Sequence, residues 1–80
     1  MITQEQLETK VEVFIKDIQT NDTSDITQLA DDQIFALTAW SFWKDGMDWD
    51  QGIQSIAEGT DPVLKTREQC ILTLKSIFGY

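Results

Sequence analysis

Histidine is missing from this chain, and cysteine and proline occur once each, as Cys70 and Pro62. Without histidine the usual general base near neutral pH is absent, and neither a Ser-His-Asp nor a Cys-His arrangement can be assembled. One cysteine excludes an internal disulfide and any multi-cysteine metal site. Basic residues are scarce as well: six lysines and arginines face 14 aspartates and glutamates, for a formal net charge of −8. A field of that sign repels nucleic acid and anionic membrane and attracts basic protein surfaces. Long apolar runs are also lacking. No stretch approaches the roughly 18 apolar residues of a membrane span. Residues 1–20 carry Glu5, Glu8, Lys10, Glu12, Lys16 and Asp17 at intervals that leave no signal-peptide core. A cytoplasmic location is the default expectation.

What remains is enough to fold. The chain has 80 residues, read as one domain over 1–80, with 41% hydrophobic and 10% aromatic residues. Disorder requires low hydrophobicity together with high charge, and only the charge is present. A domain of this size buries about 60% of the surface its unfolded chain exposes, so its stability should be modest.

The expected fold is all-α, a compact four-helix bundle with helices at about 4–19, 32–44, 49–58 and 62–78 and a short extra turn near 26–30. Thr3 with Gln6 three residues on forms a capping-box pattern at helix 1. Leu7, Val11, Phe14, Ile15 and Ile18 then share an arc of about 100° on the helical wheel. Thr20 to Asp25 is polar and turn-forming. Helix 2 starts near Asp31, whose carboxylate is expected to cap it, and stops at Gly46. Asp48 with Gln51 repeats the capping pattern ahead of Trp49, Ile53, Ile56 and Ala57, with Gly59 as terminator. Asp61-Pro62 reads as a cap followed by proline at the first helical position, opening a helix whose stripe is Val63, Leu64, Cys70, Ile71, Leu74, Ile77 and Phe78. Short connections imply neighbours that pack roughly antiparallel.

Catalysis has little to stand on, and the chain is read as a non-enzyme. Paired carboxylates could in principle do acid–base work, but so short a chain cannot easily wall a substrate cleft. The run Asp45-Gly46-Met47-Asp48-Trp49-Asp50-Gln51-Gly52 superficially suggests a calcium loop. Counting from Asp48, however, Gly52, Ile53 and Gly59 fall where an EF-hand needs a ligand, a glycine and a glutamate. Helix capping explains the acids better, so no metal or cofactor is expected.

In size, acidity and helix number the chain resembles the acyl carrier proteins, with Leu29-Ala30-Asp31-Asp32-Gln33-Ile34 where that family keeps its modification motif. The family carries its phosphopantetheine arm on the serine of an Asp-Ser-Leu sequence at the start of helix 2. Here the matching run is Asp32-Gln33-Ile34, and glutamine offers no hydroxyl to modify. The resemblance is architectural and covers no functional residue.

Two features ask for a functional account. Residues 17–61 hold ten acids against Lys44 alone, a charge of −9, between end segments of −1 (residues 1–16) and +2 (residues 62–80). Capping accounts for some of these acids, since a helix N-terminus favours an anion. The other feature is helix 2, whose Phe35, Ala36, Leu37, Ala39, Trp40, Phe42 and Trp43 span about 220° of the wheel, against the roughly 100° a rim helix needs. Either helix 2 is contacted by all the others, or aromatic surface stays exposed. Arg67, inside the apolar arc of helix 4, is expected to lay its stem on the core and send its guanidinium to a carboxylate at the edge.

These observations lead to a small acidic protein-binding module that masks or regulates a basic macromolecular partner, in the manner of antagonist, immunity or inhibitor proteins. The residues expected to meet that partner are Asp31, Asp32, Asp45, Asp48, Trp49 and Asp50, with Trp49 as aromatic anchor. Direct contact with nucleic acid or membrane is not expected. The rival readings are a helical bundle carrying a small molecule against its tryptophans, acyl-carrier-like but lacking the modifiable serine, and a structural subunit of a larger complex.

Overall fold

A computed structural model of the chain describes residues 2–20 and 26–80, with the side chains of residues 17–20 left aside. The turn expected over residues 20–25 lies, beyond Thr20 itself, outside the described residues, as do the side chains of Asp17, Ile18, Asp22 and Asp25. The elements, in chain order, are α1 (Gln4–Thr20), a 3-10 turn (Ile26–Gln28), α2 (Asp31–Lys44), α3 (Gln51–Glu58) and α4 (Arg67–Phe78). The fold is therefore the expected all-helical four-helix bundle, extra turn included, and no strand occurs among the described residues.

α1 begins as its sequence dictates. The Thr3 amide donates to Gln6 Oε1 at 3.0 Å and the Gln6 amide donates to Thr3 Oγ1 at 3.1 Å, so each satisfies a group the first turn leaves open. Leu7, Val11 and Phe14 are buried, and Ile15 packs half-buried beside them.

α2 organises the rest, because the extensive helix–helix contacts all involve it, with α1, α3 and α4 as its partners. Its wide apolar arc is explained by that position. Ile34, Ala36, Leu37 and Ala39 are fully buried, while Phe35, Trp40, Phe42 and Trp43 pack half-buried around the core. Buried Thr38 satisfies its hydroxyl on the Ile34 carbonyl at 2.8 Å. Small residues on α2 let its neighbours approach, and the large rings seal the gaps: Phe42 meets Phe78 of α4 edge-on at 5.2 Å. α3 runs back along α2, since Trp49 before its start lies against Trp43 and Gly59 after its end lies against Phe35. Gly59 ends α3 at φ +76°, and a Cβ there would come within 3.0 Å of the Phe35 ring. The backbone angle favours glycine, and any side chain there would also push against the Phe35 ring.

Three expected helix starts are corrected. At α2 the cap position is Ala30, not Asp31; the Ala30 amide donates to Gln33 Oε1 at 2.9 Å, and Asp31 is the first helical residue. At α3 the cap is Asp50, not Asp48: one carboxylate oxygen accepts from the amides of Gly52 (2.9 Å) and Ile53 (3.3 Å), so the helix starts at residue 51. The largest correction is α4, which begins at Arg67 and not at Pro62. Thr66 Oγ1 accepts from the Gln69 amide at 3.2 Å, half of a Thr-x-x-Gln capping box that satisfies this start better than Asp61-Pro62 could. Val63 and Ile77, assigned to the apolar stripe of this helix, are exposed, whereas Cys70 and Leu74 are fully buried. Burial pushes the Cys70 thiol up from its ordinary value, and nearby Asp61 pushes it in the same direction, against a hydrogen bond with Thr38 that opposes both.

Arg67 does what its place in the arc implies. Its guanidinium donates to the carbonyls of Thr27 and Leu29 and reaches Asp31 Oδ1 at 3.0 Å. One side chain on α4 thereby fastens both the 3-10 turn and the start of α2.

Candidate functional site

The six residues expected to meet a partner fall into two groups, at opposite ends of α2. A helix of 14 residues rises about 20 Å at 1.5 Å per residue, so the groups are far apart on the scale of a single contact. At the first end stand Asp31 and Asp32. Asp31 pairs with Arg67, and Asp32 Oδ2 lies 3.4 Å from Lys10 Nζ of α1. Both acids also sit in the first turn, where the helix dipole favours negative charge. All of that is structural use.

The other end is different. Asp45 caps the carbonyl end of α2, Asp48 lies in the α2–α3 connection, and Asp50 caps α3; all three are exposed. The carboxylates of Asp45 and Asp48 take part in no hydrogen bond or ion pair among the described residues. The adjacent cation is engaged elsewhere: Lys44 Nζ contacts Glu8 Oε1 of α1 at 2.6 Å and lies 4.6 Å from the centroid of the Trp43 ring. Asp45 is also placed against its local electrostatics, because a helix C-terminus disfavours an anion.

Trp49 joins this end to α1. Its ring stands edge-on to Trp43 at 5.2 Å, with an angle of 67° between the planes, and is half-buried as a result. Its remaining surface forms one wall of an open groove of about 530 Å³, shared with Ile2, Thr3, Gln4 and Glu5 at the start of α1 and with Gln54 of α3. The expected anchor is thus part of a concavity. Glu5 and Gln54 were not among the residues singled out from sequence. Glu5 could have been found from its spacing, since Glu5 and Glu8 are three apart and form one acidic ridge on α1. Gln54 carries no signal that distinguishes it from a surface glutamine.

Among the described residues no three cysteine, aspartate or glutamate side chains converge closely enough to hold a metal ion. No helix among them is long and apolar enough to cross a membrane. Comparison of the chain with family models, with characterised proteins and with solved structures finds no match. The functional reading therefore rests on the residues themselves.

Proposed function

We propose that the chain is a protein-binding module that docks onto a basic surface of another protein through the end of α2 where Asp45, Asp48 and Asp50 stand. The observation that supports it is the unpaired state of Asp45 and Asp48. Acids kept for the fold should be paired or placed at helix starts, as Asp31 and Asp32 are. Asp45 is neither, and an acid that works against its own helix is best explained by a role outside the fold. Half-buried aromatic surface beside it, Trp43 and Trp49, is the kind of surface interface centres use. With a net charge of −8 the molecule would also be steered toward cationic partners over distances comparable to the Debye length. A role in masking or regulating the partner would follow from occupying its basic surface.

The test is affinity capture from the native host with the wild-type chain and with Asp45→Lys/Asp48→Lys in parallel. A basic protein retained by the wild type, released as salt rises and lost with the double variant, supports the reading. A partner retained equally by both chains and indifferent to salt overturns it.

A further inference from the structure

The same region contains a filled contact and an unfilled copy of it. In the filled one, Lys44 of the chain lies over the Trp43 ring and against Glu8. One turn toward the start of α1, Glu5 shares a groove with Trp49, the ring that stacks edge-on against Trp43. An acidic residue and an indole again line one concavity, and among the described residues no basic side chain lines it. One of its lining residues also carries an unused acceptor, covered in this conformation. That residue is Gln54, whose Oε1 is buried with no hydrogen-bond partner among the described residues. A buried, unsatisfied acceptor is costly and rare. The last torsion of a glutamine is soft, so its amide can turn to a donor arriving in the groove.

We propose that this groove receives an arginine side chain from the basic partner, stacked on Trp49 and hydrogen-bonded to the carboxylate of Glu5 and to Gln54 Oε1. The inference rests on the protein-binding reading above and deepens it by naming the group recognised. Lysine can meet a carboxylate and an indole, as Lys44 does, but arginine is better suited to reach the amide oxygen as well. Its planar guanidinium lies flat on an indole and still presents donors in its own plane, to a carboxylate on one side and an amide oxygen on another. A lysine ammonium is a compact point charge that cannot stack in this way. The start of α1 is held in place for the contact by the Thr3–Gln6 capping box, and the start of α3 by Asp50.

The probe is an octa-arginine peptide, titrated into the labelled protein at low salt and followed by nuclear magnetic resonance, with octa-lysine as comparison. Octa-arginine should shift the Trp49 indole and the Gln54 side-chain amide. Glu5→Gln, an exposed change that leaves the core untouched, should weaken binding about two- to five-fold. Trp49→Leu should weaken it by about ten-fold, as loss of a partly desolvated cation–π contact implies. Shifts confined to Asp45 and Asp48, with both variants binding as the wild type does, would overturn the groove and leave the acidic docking surface standing. Octa-lysine binding at Trp49 as tightly as octa-arginine would overturn the arginine assignment. No binding of either peptide at low salt would overturn the groove and the docking surface together.

Discussion

The two ends of α2 carry the same residue type and use it in opposite ways. At the amide end, Asp31 and Asp32 lie where the dipole welcomes a negative charge, and each has a cation from another helix, Arg67 or Lys10. At the carbonyl end, Asp45 and Asp48 have neither advantage, and the cation beside them is committed to Glu8 and Trp43. A run of acids in a sequence therefore has no single meaning. What separates structural from spare charge is the helix end it occupies and whether a partner reaches it.

The comparison holds only if both ends stand on the same core, and that is the first place to break it. Leu37 is fully buried midway along α2. Leu37→Ala should lower stability by about 2–5 kcal/mol, measured by denaturant unfolding. A change under 1 kcal/mol would mean that α2 is not the central element. Next is the clasp at the amide end. Arg67→Ala removes donors to two carbonyls and a carboxylate, and should cost about 1–3 kcal/mol. Arg67→Lys should recover little of it, because an ammonium cannot serve three acceptors spread around a planar fork. Full recovery with lysine would reduce the clasp to a simple charge effect. At the carbonyl end, Asp50→Ala should cost about 0.5–2 kcal/mol as a lost cap. Asp48→Ala, by contrast, should stay within about 0.5 kcal/mol of the wild type, as surface changes do. Equal effects would return the cap to Asp48.

How far the sequence disclosed this arrangement depends on the scale of the signal. Periodicity over a whole helix was legible: Leu7, Val11 and Phe14 are buried as their spacing demands, and the wide arc of α2 left two readings, of which its contacts with α1, α3 and α4 show the central one. Helix starts were less so, because several polar residues compete within a short span. Asp48 and Asp50 near α3, or Asp61 and Thr66 near α4, all have capping chemistry, and tertiary packing selects among them. Thr66 with Gln69 was a readable capping box that the more conspicuous Asp61-Pro62 overshadowed. The candidate site was legible in part. Trp49 and its flanking acids stand out in the sequence, but the groove needs Glu5 and Gln54, which lie 44 residues before and 5 after Trp49 in the chain. Only the packing of α1 and α3 on the same central helix α2 brings them together. The division of the acids into paired and unpaired depends on Lys10 and Arg67 from other helices, which no local pattern announces.

The smallest expected effect is the sharpest test, because it turns on a sign. Asp45→Asn keeps size and hydrogen-bonding shape while removing a negative charge from the carbonyl end of α2. The dipole term then predicts a gain in stability of about 0.3–1 kcal/mol at low ionic strength. Asp31→Asn makes the same chemical change at the other end, where it removes a favourable dipole term and the ion pair with Arg67, so it should lose a comparable amount. Both effects should shrink at about 1 M salt, where screening shortens the range of exposed charges to a few ångströms. Denaturation midpoints of the two variants at low and high salt read all four values. If Asp45→Asn gains stability and also weakens capture of the basic partner, the acid is retained against the interest of the fold, as a binding residue would be. If Asp45→Asn loses stability as Asp31→Asn does, then Asp45 serves the fold after all, and the contrast between the two ends of α2 collapses together with the docking surface drawn from it.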